Sequence, residues 1–294
     1  MKSMNKEKAI ALFFTLNGAV VVLILLGIFY MLLSSSVQAW RVVGLGSFLT
    51  GRVWNPTGFF DASFGTIPLM VGTMMVTLGA VAIALPLGVA CATYLAEIAS
   101  NWEREIFKPL VELLAGIPSV VIGFFGLVVL SRIIARVFGL SNGLNALNAS
   151  ILLAFMALPT IISIAEDALT AVPDEFREAS LALGATKWQT IRHVTFPAAI
   201  SGVSAAVLLG VGRAIGETMT VIMVAGNAIA FPKGLFSSVR TMTATIAIEL
   251  GEVSFNTTHY YALFAVGFLL FLITFVISLI ADVFLHRSAE VGKQ

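Results

Sequence analysis

The sequence predicts an all-α, polytopic membrane protein with six transmembrane helices. Hydrophobic residues make up 59% of the 294 residues and charged residues only 11%, with a mean hydropathy of +0.99. A soluble domain usually carries charge on about a quarter of its residues. The apolar residues are also gathered into six runs, each long enough to cross, as a helix, a hydrocarbon layer of about 30 Å. These runs lie at 9–33, about 67–96, 109–130, 149–172, 198–224 and 260–285.

Residues 1–66 form the first predicted unit, a transmembrane helix followed by a periplasmic segment. The apolar run 9–33 is longer than the core of about 7 to 15 residues of a signal peptide, so we interpret it as a retained helix. Trp40 and Trp54 follow it, and tryptophan is typical of the membrane interface.

The second predicted unit, residues 67–286, holds the other five spans. Pro86 predicts a kink in the second span because its ring removes a backbone hydrogen bond. Residues 116–119, Gly-Ile-Pro-Ser, break the third span, and the freed carbonyls then need partners within the protein. Residues 131–148 are predicted to form a short connection.

Orientation follows from the distribution of lysine and arginine, which are in excess on cytoplasmic loops. With the N-terminus inside, ten of these residues fall in inner segments and six in outer segments. We therefore expect both termini, the tail 287–294 and the polar loop 173–197 to be cytoplasmic.

The loop 173–197 carries helix start and stop signals. Pro173 and the two acidic residues after it suit the first turn of a helix, and Gly184 suits a left-handed stop. Thr186 and Gln189 have the spacing of a capping box. We predict two short helices held at a fixed angle, and the alternative is an interfacial amphipathic linker.

Arg213 and Glu217 lie near the middle of the fifth predicted span, four residues apart and so on one predicted helix face. An isolated arginine there costs from about 3 to more than 10 kcal/mol, so it should face a polar interior. Thr220 continues this stripe, while Gly212 and Gly216 would let another helix approach closely. The guanidinium fork suits an oxyanion. The pair therefore predicts an anion pathway, and the alternative is that it only fixes helix packing.

Other chemistry finds little support in the sequence. The three histidines have no ligand at metal-binding spacing, so we expect no metal site, and we identify no catalytic residue. The acidic pairs Glu166–Asp167 and Glu249–Glu252 lie near predicted span ends, where we expect solvated charge. The net charge of +1 gives no reason to expect a nucleic-acid partner.

The loop also carries a family signature. Glu178-Ala179-Ser180, three residues, Gly184, nine residues and then Val194-Thr195-Phe196-Pro197 resembles the EAA motif of ABC importer permeases, with Ser180 and Phe196 as mild departures. The resemblance implies a type I ABC importer (MetI-like) permease fold and a coupling helix that docks on an ATP-hydrolysing subunit. The coupling positions it implies are Glu178, Ala179, Ser180, Gly184, Lys187 and Trp188.

The sequence lacks Gly-x-x-x-x-Gly-Lys-Ser/Thr, the phosphate-binding loop of many ATPases. We therefore expect ATP and Mg²⁺ to be bound by a partner subunit, with no cofactor in this chain and no enzymatic activity of its own.

The run from Gly212 to Val221, followed by Gly226-Asn227, is similar to the phosphate-specific permeases of the PstC type. The run 112–121 and Trp54-x-Pro56 also match, whereas Met219 and Thr220 argue against the sister PstA type. The resemblance implies a phosphate-import permease of the bacterial inner membrane, with Arg213, Glu217 and Thr220 in the pathway. The partners it implies are membrane lipid, a PstA-type permease, two ATP-binding cassette subunits and an extracytoplasmic phosphate-binding protein.

Two alternatives stay open. A permease for another oxyanion, such as molybdate or sulfate, would keep the same loop and spans. A secondary transporter or membrane enzyme would need no ATPase partner.

Overall fold

A computed structural model describes residues 2–58 and 62–291, with side chains for 10–58 and 62–279. The described chain is mostly helical and contains one short hairpin, in which Trp54 of β1 (Trp54–Asn55) pairs with Phe64 of β2 (Ser63–Phe64). The helices are α1 (Lys2–Val43), α2 (Leu45–Thr50), α3 (Ile67–Thr93), α4 (Asn101–Ala115), α5 (Ser119–Phe125), α6 (Ser131–Phe138), α7 (Ala146–Thr170), α8 (Asp174–Ala182), α9 (Lys187–Thr190), α10 (Phe196–Ala198), α11 (Ile200–Gly216), α12 (Met219–Val224), α13 (Met242–Glu249) and α14 (Thr258–Val291). Three π-helical segments extend α3, α5 and α9: Tyr94–Ile98, Gly126–Leu130 and Ile191–Thr195.

Five stretches of the described chain are long and apolar enough to cross a membrane, and a bent pair of helices makes a sixth. The all-α, multi-span class is therefore confirmed. The five are Ile10–Val43, Ile67–Ile98, Ser119–Phe138, Ala146–Thr170 and Thr258–Leu279, and the bent pair is Lys187–Ala198 with Ile200–Gly216. The pair is bent by 72°.

Helix α7 lies at the centre and packs most extensively against α3 and α11. Ile161 of α7 lies between Gly88 of α3 and Gly210 of α11. A Cβ atom at Gly88 would lie 2.7 Å from Ile161, and one at Gly210 would lie 2.5 Å from it. Since real Cβ atoms do not approach so closely, both glycines are needed for this packing. Pro159 and Pro86 lie inside helices that continue past them.

Helix α1 lies on the outside of the bundle. The most apolar stretch of Ile10–Val43 has none of its described residues buried. Its contacts with α14 include aromatic pairs, with ring centroids of Phe29 and Phe268 5.7 Å apart and those of Trp40 and Phe268 also 5.7 Å apart. The exposed apolar side chains of α1 suit contact with lipid.

The third span lies further along the chain than predicted. Residues 109–115 belong to α4, a fully described helix without a buried residue. The Gly-Ile-Pro-Ser break separates α4 from α5 because Pro118 has an extended ψ of 135°. Beyond it, α5, a π-helical segment and α6 follow without interruption.

The predicted connection 131–148 is consequently wrong over its first half. Arg132 and Arg136 lie in α6, where Ser131 and Ile134 are buried and the two arginines are exposed. An amphipathic helix therefore ends the third span. Because one of its faces carries arginines, this helix does not stand out in the sequence as an uncharged run.

Some predictions fall on parts of the chain that the structure describes incompletely. The side chains of the N-terminal lysines and of the tail 287–294 lie outside the described residues. The backbone of α14 is described to Val291, and residues 292–294 are not.

Candidate functional site

The segment with Arg213 and Glu217 is a broken helix. Arg213 lies in the last turn of α11, which ends at Gly216, and Glu217 has an extended backbone (φ −70°, ψ 130°). The predicted continuous helix over 198–224, with both charges on one face, is therefore wrong. The carboxylate of Glu217 accepts a hydrogen bond from the Thr220 backbone N–H at 3.1 Å, which helps to start α12.

Each charge lies at the helix end that stabilises it. The carbonyl end of a helix attracts a cation and the amide end attracts an anion, which matches Arg213 in α11 and Glu217 before α12. Among the described side chains, no ion pair joins the two. Arg213 Nη1 donates to Thr160 Oγ1 of α7 at 3.3 Å, and Arg213 is exposed. The sequence did not identify Thr160 as a site residue, because its only distinguishing feature there is that it follows Pro159.

Thr220 is brought close to this break but is turned into the protein. It is fully buried, and its hydroxyl donates to the Ser119 carbonyl at 3.0 Å, next to Met156 Sδ at 3.2 Å. The hydroxyl therefore ties α12 to α5 and α7. Thr243 of α13 binds the same break from the other side, because its hydroxyl donates to the Glu217 carbonyl at 3.2 Å.

The close-packing glycines of α11 are not the predicted ones. A Cβ atom at Gly212 or Gly216 would meet no described atom within 4 Å. Instead, Gly202 faces Ala168 and Gly210 faces Ile161, while Ala206 between them is fully buried. The face of α11 with small residues every fourth position thus packs on α7, and Gly212 and Gly216 are open.

The loop 173–197 contains the predicted local structure. Gly184 has a φ of +87° after α8, in the left-handed region that favours glycine. The Gln189 N–H donates to the Thr186 hydroxyl at 3.3 Å and the Thr186 N–H to the Gln189 side chain at 2.8 Å, so the capping box is confirmed. The bend into α11 falls at Ala199, since the helical stretch before it ends at Ala198.

The loop presents its predicted coupling positions outward. Glu178, Ala179, Gly184, Lys187 and Trp188 are exposed, and Ser180 is half-buried with its hydroxyl 2.9 Å from that of Thr190. None of the nine residues of α8, all of which the structure describes, is buried. Four large apolar side chains are also exposed here: Phe176, Leu181, Leu183 and Trp188. Apolar residues exposed together mark an interaction surface.

Arg177 connects this outward helix to the bundle. Its guanidinium donates to Glu97 at 2.8 Å, in the π-helical end of α3, and to the Leu169 carbonyl of α7 at 2.8 Å. The hydrogen bond to Glu97 raises the pKa of Arg177 above its ordinary value. Sequence reasoning missed this pair, because its members are 80 residues apart.

The predicted solvated charge holds for one member of each acidic pair, because Asp167 and Glu252 are exposed, whereas Glu166 and Glu249 are largely withdrawn from solvent. Glu166 is 2% exposed and binds both Lys108 of α4 at 2.5 Å and Arg104 at 3.2 Å. Asp167 beside it is exposed and also binds Lys108, at 2.8 Å. The hydrogen bonds to Asp167 and Glu166 raise the pKa of Lys108 above its ordinary value.

Glu249 collects three partners from three other parts of the chain. Arg240 Nη1 and His259 Nε2 each lie 2.8 Å from one of its oxygens, and Trp54 Nε1 donates to both, at 3.1 and 3.2 Å. The Glu249 side chain is 13% exposed. The described side chains form no group of three His, Cys, Asp or Glu residues that could hold a metal ion.

Relatives of this chain are transport proteins. It is 41% identical over 245 residues to the probable ABC transporter permease protein YqgH of Bacillus subtilis, covering 83% of this chain and 79% of the relative. It is 36% identical over 293 residues to the phosphate transport system permease protein PstC of Mesorhizobium japonicum, covering 93% and 88%. The PstC protein of Haemophilus influenzae is 30% identical over 280 residues, covering 88% and 87%.

Solved structures share the fold. The MetNI methionine ABC transporter matches with a TM-score of 0.56 and 21% identity over 76% of this chain and 94% of that one. A bacterial alginate ABC transporter matches with a TM-score of 0.60 and 16% identity over 90% of both chains. The predicted ABC importer permease fold is therefore confirmed.

The sequence profile of the family described as "binding-protein-dependent transport system inner membrane component" matches residues 84–289. That match spans α7, the loop 173–197 and the broken helix. The chain is a multi-pass transport subunit and belongs to this family of binding-protein-dependent inner membrane permeases.

Proposed function

We propose that this chain is the transmembrane permease subunit of an ATP-driven phosphate importer and that Arg213 lines the route of inorganic phosphate. The observation that carries the proposal is the exposed guanidinium of Arg213 at the end of α11, bound within the described chain only through Thr160. Relatives over most of the chain are named phosphate transport system permease PstC, which supports phosphate as the cargo.

The physical argument starts from the cost of a charge in a membrane. A charged arginine in a span is tolerated when it faces a polar interior or a water-filled route. Its fork can bind two oxygens of a tetrahedral oxyanion by parallel hydrogen bonds. Glu217, one residue past the end of α11, moderates the attraction, so that the anion can leave as well as enter.

The helix break supports a pathway at the same place. Backbone that leaves the helix at membrane depth is tolerated only where it is buried in protein or lines a cavity. Transport proteins commonly place substrate sites at such interrupted helices. Thr220 and Thr243 hold this break in position, so we assign Thr220 a supporting role in the pathway.

The remaining parts of the assembly are also proposals. ATP and Mg²⁺ bind a pair of partner cassette subunits, which dock on the exposed apolar and coupling residues of α8 and α9. A paralogous permease covers the open face of α11 at Gly212 and Gly216, and an extracytoplasmic binding protein delivers phosphate. With both termini cytoplasmic, the loop 173–197 faces the cassette subunits at the bacterial inner membrane.

Uptake of labelled phosphate into proteoliposomes with the complete complex tests the proposal. Arg213→Gln should abolish uptake while the complex still assembles, and Arg213→Lys should keep only a small part because lysine lacks the fork. Arg136→Gln is the matched control, since it removes an exposed arginine from another span and should leave uptake unchanged.

Two results would overturn the proposal. Wild-type uptake by Arg213→Gln would remove Arg213 from the route. Stronger competition by unlabelled molybdate or sulfate than by unlabelled phosphate would assign the permease to another oxyanion.

A further inference from the structure

We propose that Arg177 is a positioning residue that joins the coupling helix α8 rigidly to α3 and α7, so that a displacement of α8 moves both core helices together. The inference rests on the proposed function, since it concerns how ATP-driven movement in partner subunits reaches the pathway. It assigns a role to a contact outside the predicted coupling positions.

The joint is a half-buried guanidinium with several hydrogen-bond partners. Arg177 Nε and Nη2 both donate to Glu97, at 3.1 and 2.8 Å, and the Glu97 side chain is only 6% exposed. The Arg177 side chain is 17% exposed. Both of the hydrogen bonds to Glu97 end on its Oε1, and Nε also lies 3.4 Å from Oε2. Two donors on one carboxylate fix the direction of the contact as well as its distance, which a single flexible contact does not.

The same guanidinium also binds the end of α7. Nη2 donates to the Leu169 carbonyl at 2.8 Å, and Nη1 donates to the Val172 carbonyl at 2.5 Å. The carbonyl end of a helix carries partial negative charge, which attracts a cation. The Leu169 carbonyl also accepts the Val172 N–H at 3.3 Å, and Arg177 adds a charged donor to it, so one side chain of α8 contacts both the π-helical end of α3 and the end of α7.

Arg177 supplies the side-chain hydrogen bonds from α8 to α3 and to the end of α7, while α8 also packs on α9 and on the π-helical segment after it. No residue of α8, which is fully described, is buried. Among the described side chains, the hydrogen bonds from α8 to α3 or to the end of α7 all come from Arg177. The Ser180 hydroxyl contacts Thr190, which lies within the same loop.

The first test compares transport with ATP hydrolysis in the complete reconstituted complex. Glu97→Gln and Arg177→Lys should each lower phosphate uptake per ATP hydrolysed by about tenfold, the range of a typical coupling energy. In both variants the complete complex should still hydrolyse ATP. Asp174→Asn is the matched control, because Asp174 also binds Arg177, at 2.9 Å, but is 87% exposed. It should keep the wild-type ratio.

The second test measures the joint itself and does not depend on the cargo. Spin labels at Ile98 and at Glu175 of α8, both exposed, are introduced into the complete complex on a Cys91→Ala background. The distance distribution in the parent should be the same with ADP and with a non-hydrolysable ATP analogue, and Glu97→Gln should broaden it.

The outcomes separate this inference from the proposed function. A parent distance that changes between nucleotide states, or unchanged uptake per ATP in both variants, would overturn the role of Arg177. If a variant complex fails to assemble, the distance between the two spin labels in the parent complex tests the role of Arg177 by itself. If the wild-type complex transports another anion instead of phosphate, the proposed cargo fails while the distance measurement still tests the joint.

Discussion

Two carboxylates with little exposure, Glu166 and Glu249, both lie near predicted span ends and differ in what holds them. Each lies near the end of an apolar run, where solvated charge was expected, and each is largely withdrawn from water. Glu166 is held by Arg104 and Lys108, whose side chains are about a third exposed. Glu249 is held by Arg240, His259 and Trp54, of which Trp54 is fully buried.

The difference teaches that burial of the partner, and not only of the acid, sets the cost of losing the interaction. An exposed cation that loses its carboxylate can be hydrated, whereas a buried cation cannot. The Glu166 cluster joins α7 to α4 and, through hydrogen bonds from Arg104 to the Leu95 and Ala96 carbonyls, to the π-helical end of α3. The Glu249 cluster joins the hairpin, the segment after α12, α13 and α14.

The largest effect is expected for Glu249→Gln. The change removes the charge that compensates Arg240, whose side chain is 18% exposed, and weakens the bonds from Trp54 and His259. We expect the free energy of unfolding to fall by about 3 kcal/mol. Thermal unfolding of the purified protein in detergent, followed by tryptophan fluorescence, measures it, and an unchanged midpoint would contradict the cluster's stabilising role.

A smaller loss is expected for Glu166→Gln, about 2 kcal/mol in the same assay. Lys108 and Arg104 remain, but water can reach both side chains and offset part of the lost attraction. If Glu166→Gln destabilised the protein more than Glu249→Gln, exposure of the partners would not be the deciding factor.

Asp167→Asn sharpens the comparison within one cluster. Asp167 contacts the same Lys108 as Glu166 does, but its side chain is 64% exposed. Exposed ion pairs contribute little, so we expect a loss below about 1 kcal/mol. Comparing the Asp167→Asn and Glu166→Gln melting curves isolates the effect of burial, and equal losses would argue against it.

The smallest effect is expected from pH. Because the pKa of Lys108 is raised, its contribution is fully present below the ordinary value of 10.5 and is lost only as pH rises through the folded value above it. The melting temperature should therefore show no loss attributable to Lys108 between about pH 6 and about pH 9. A Lys108→Gln variant gives the reference, and a difference between the two curves that shrinks across this range would contradict the expectation.

The helix ends in the loop 173–197 were predictable because the residues that determine them are neighbours in the sequence. Gly184 and the Thr186–Gln189 capping box each act within a few residues. The break after Gly216 was not predicted, because apolar residues surround it and the four-residue spacing of Arg213 and Glu217 also fits a continuous helix. Two of the contacts that hold the break join residues far apart in the sequence, Thr220 with Ser119 and Thr243 with Glu217.

The sequence also does not determine which glycines allow close helix packing. The sequence contains Gly202, Gly210, Gly212 and Gly216 on one helix, and any of them could allow a close approach. Only the tertiary position of Ile161 selects Gly210. Likewise, Glu97 and Arg177 carry no mutual signal in the sequence, since their pairing depends on how α3, α7 and α8 are arranged.

The bend at Ala199 has a mechanical consequence. Because the stretch before it meets α11 at 72°, a push along that stretch acts across the axis of α11 and tilts this helix more than it slides it. Arg213 lies thirteen residues beyond Ile200, about 20 Å along the axis at 1.5 Å per residue. A rotation of about 5° at the bend would therefore move the end of α11 that carries Arg213 by about 2 Å, at about 1.5 Å of helix rise per residue, while the near end would hardly move.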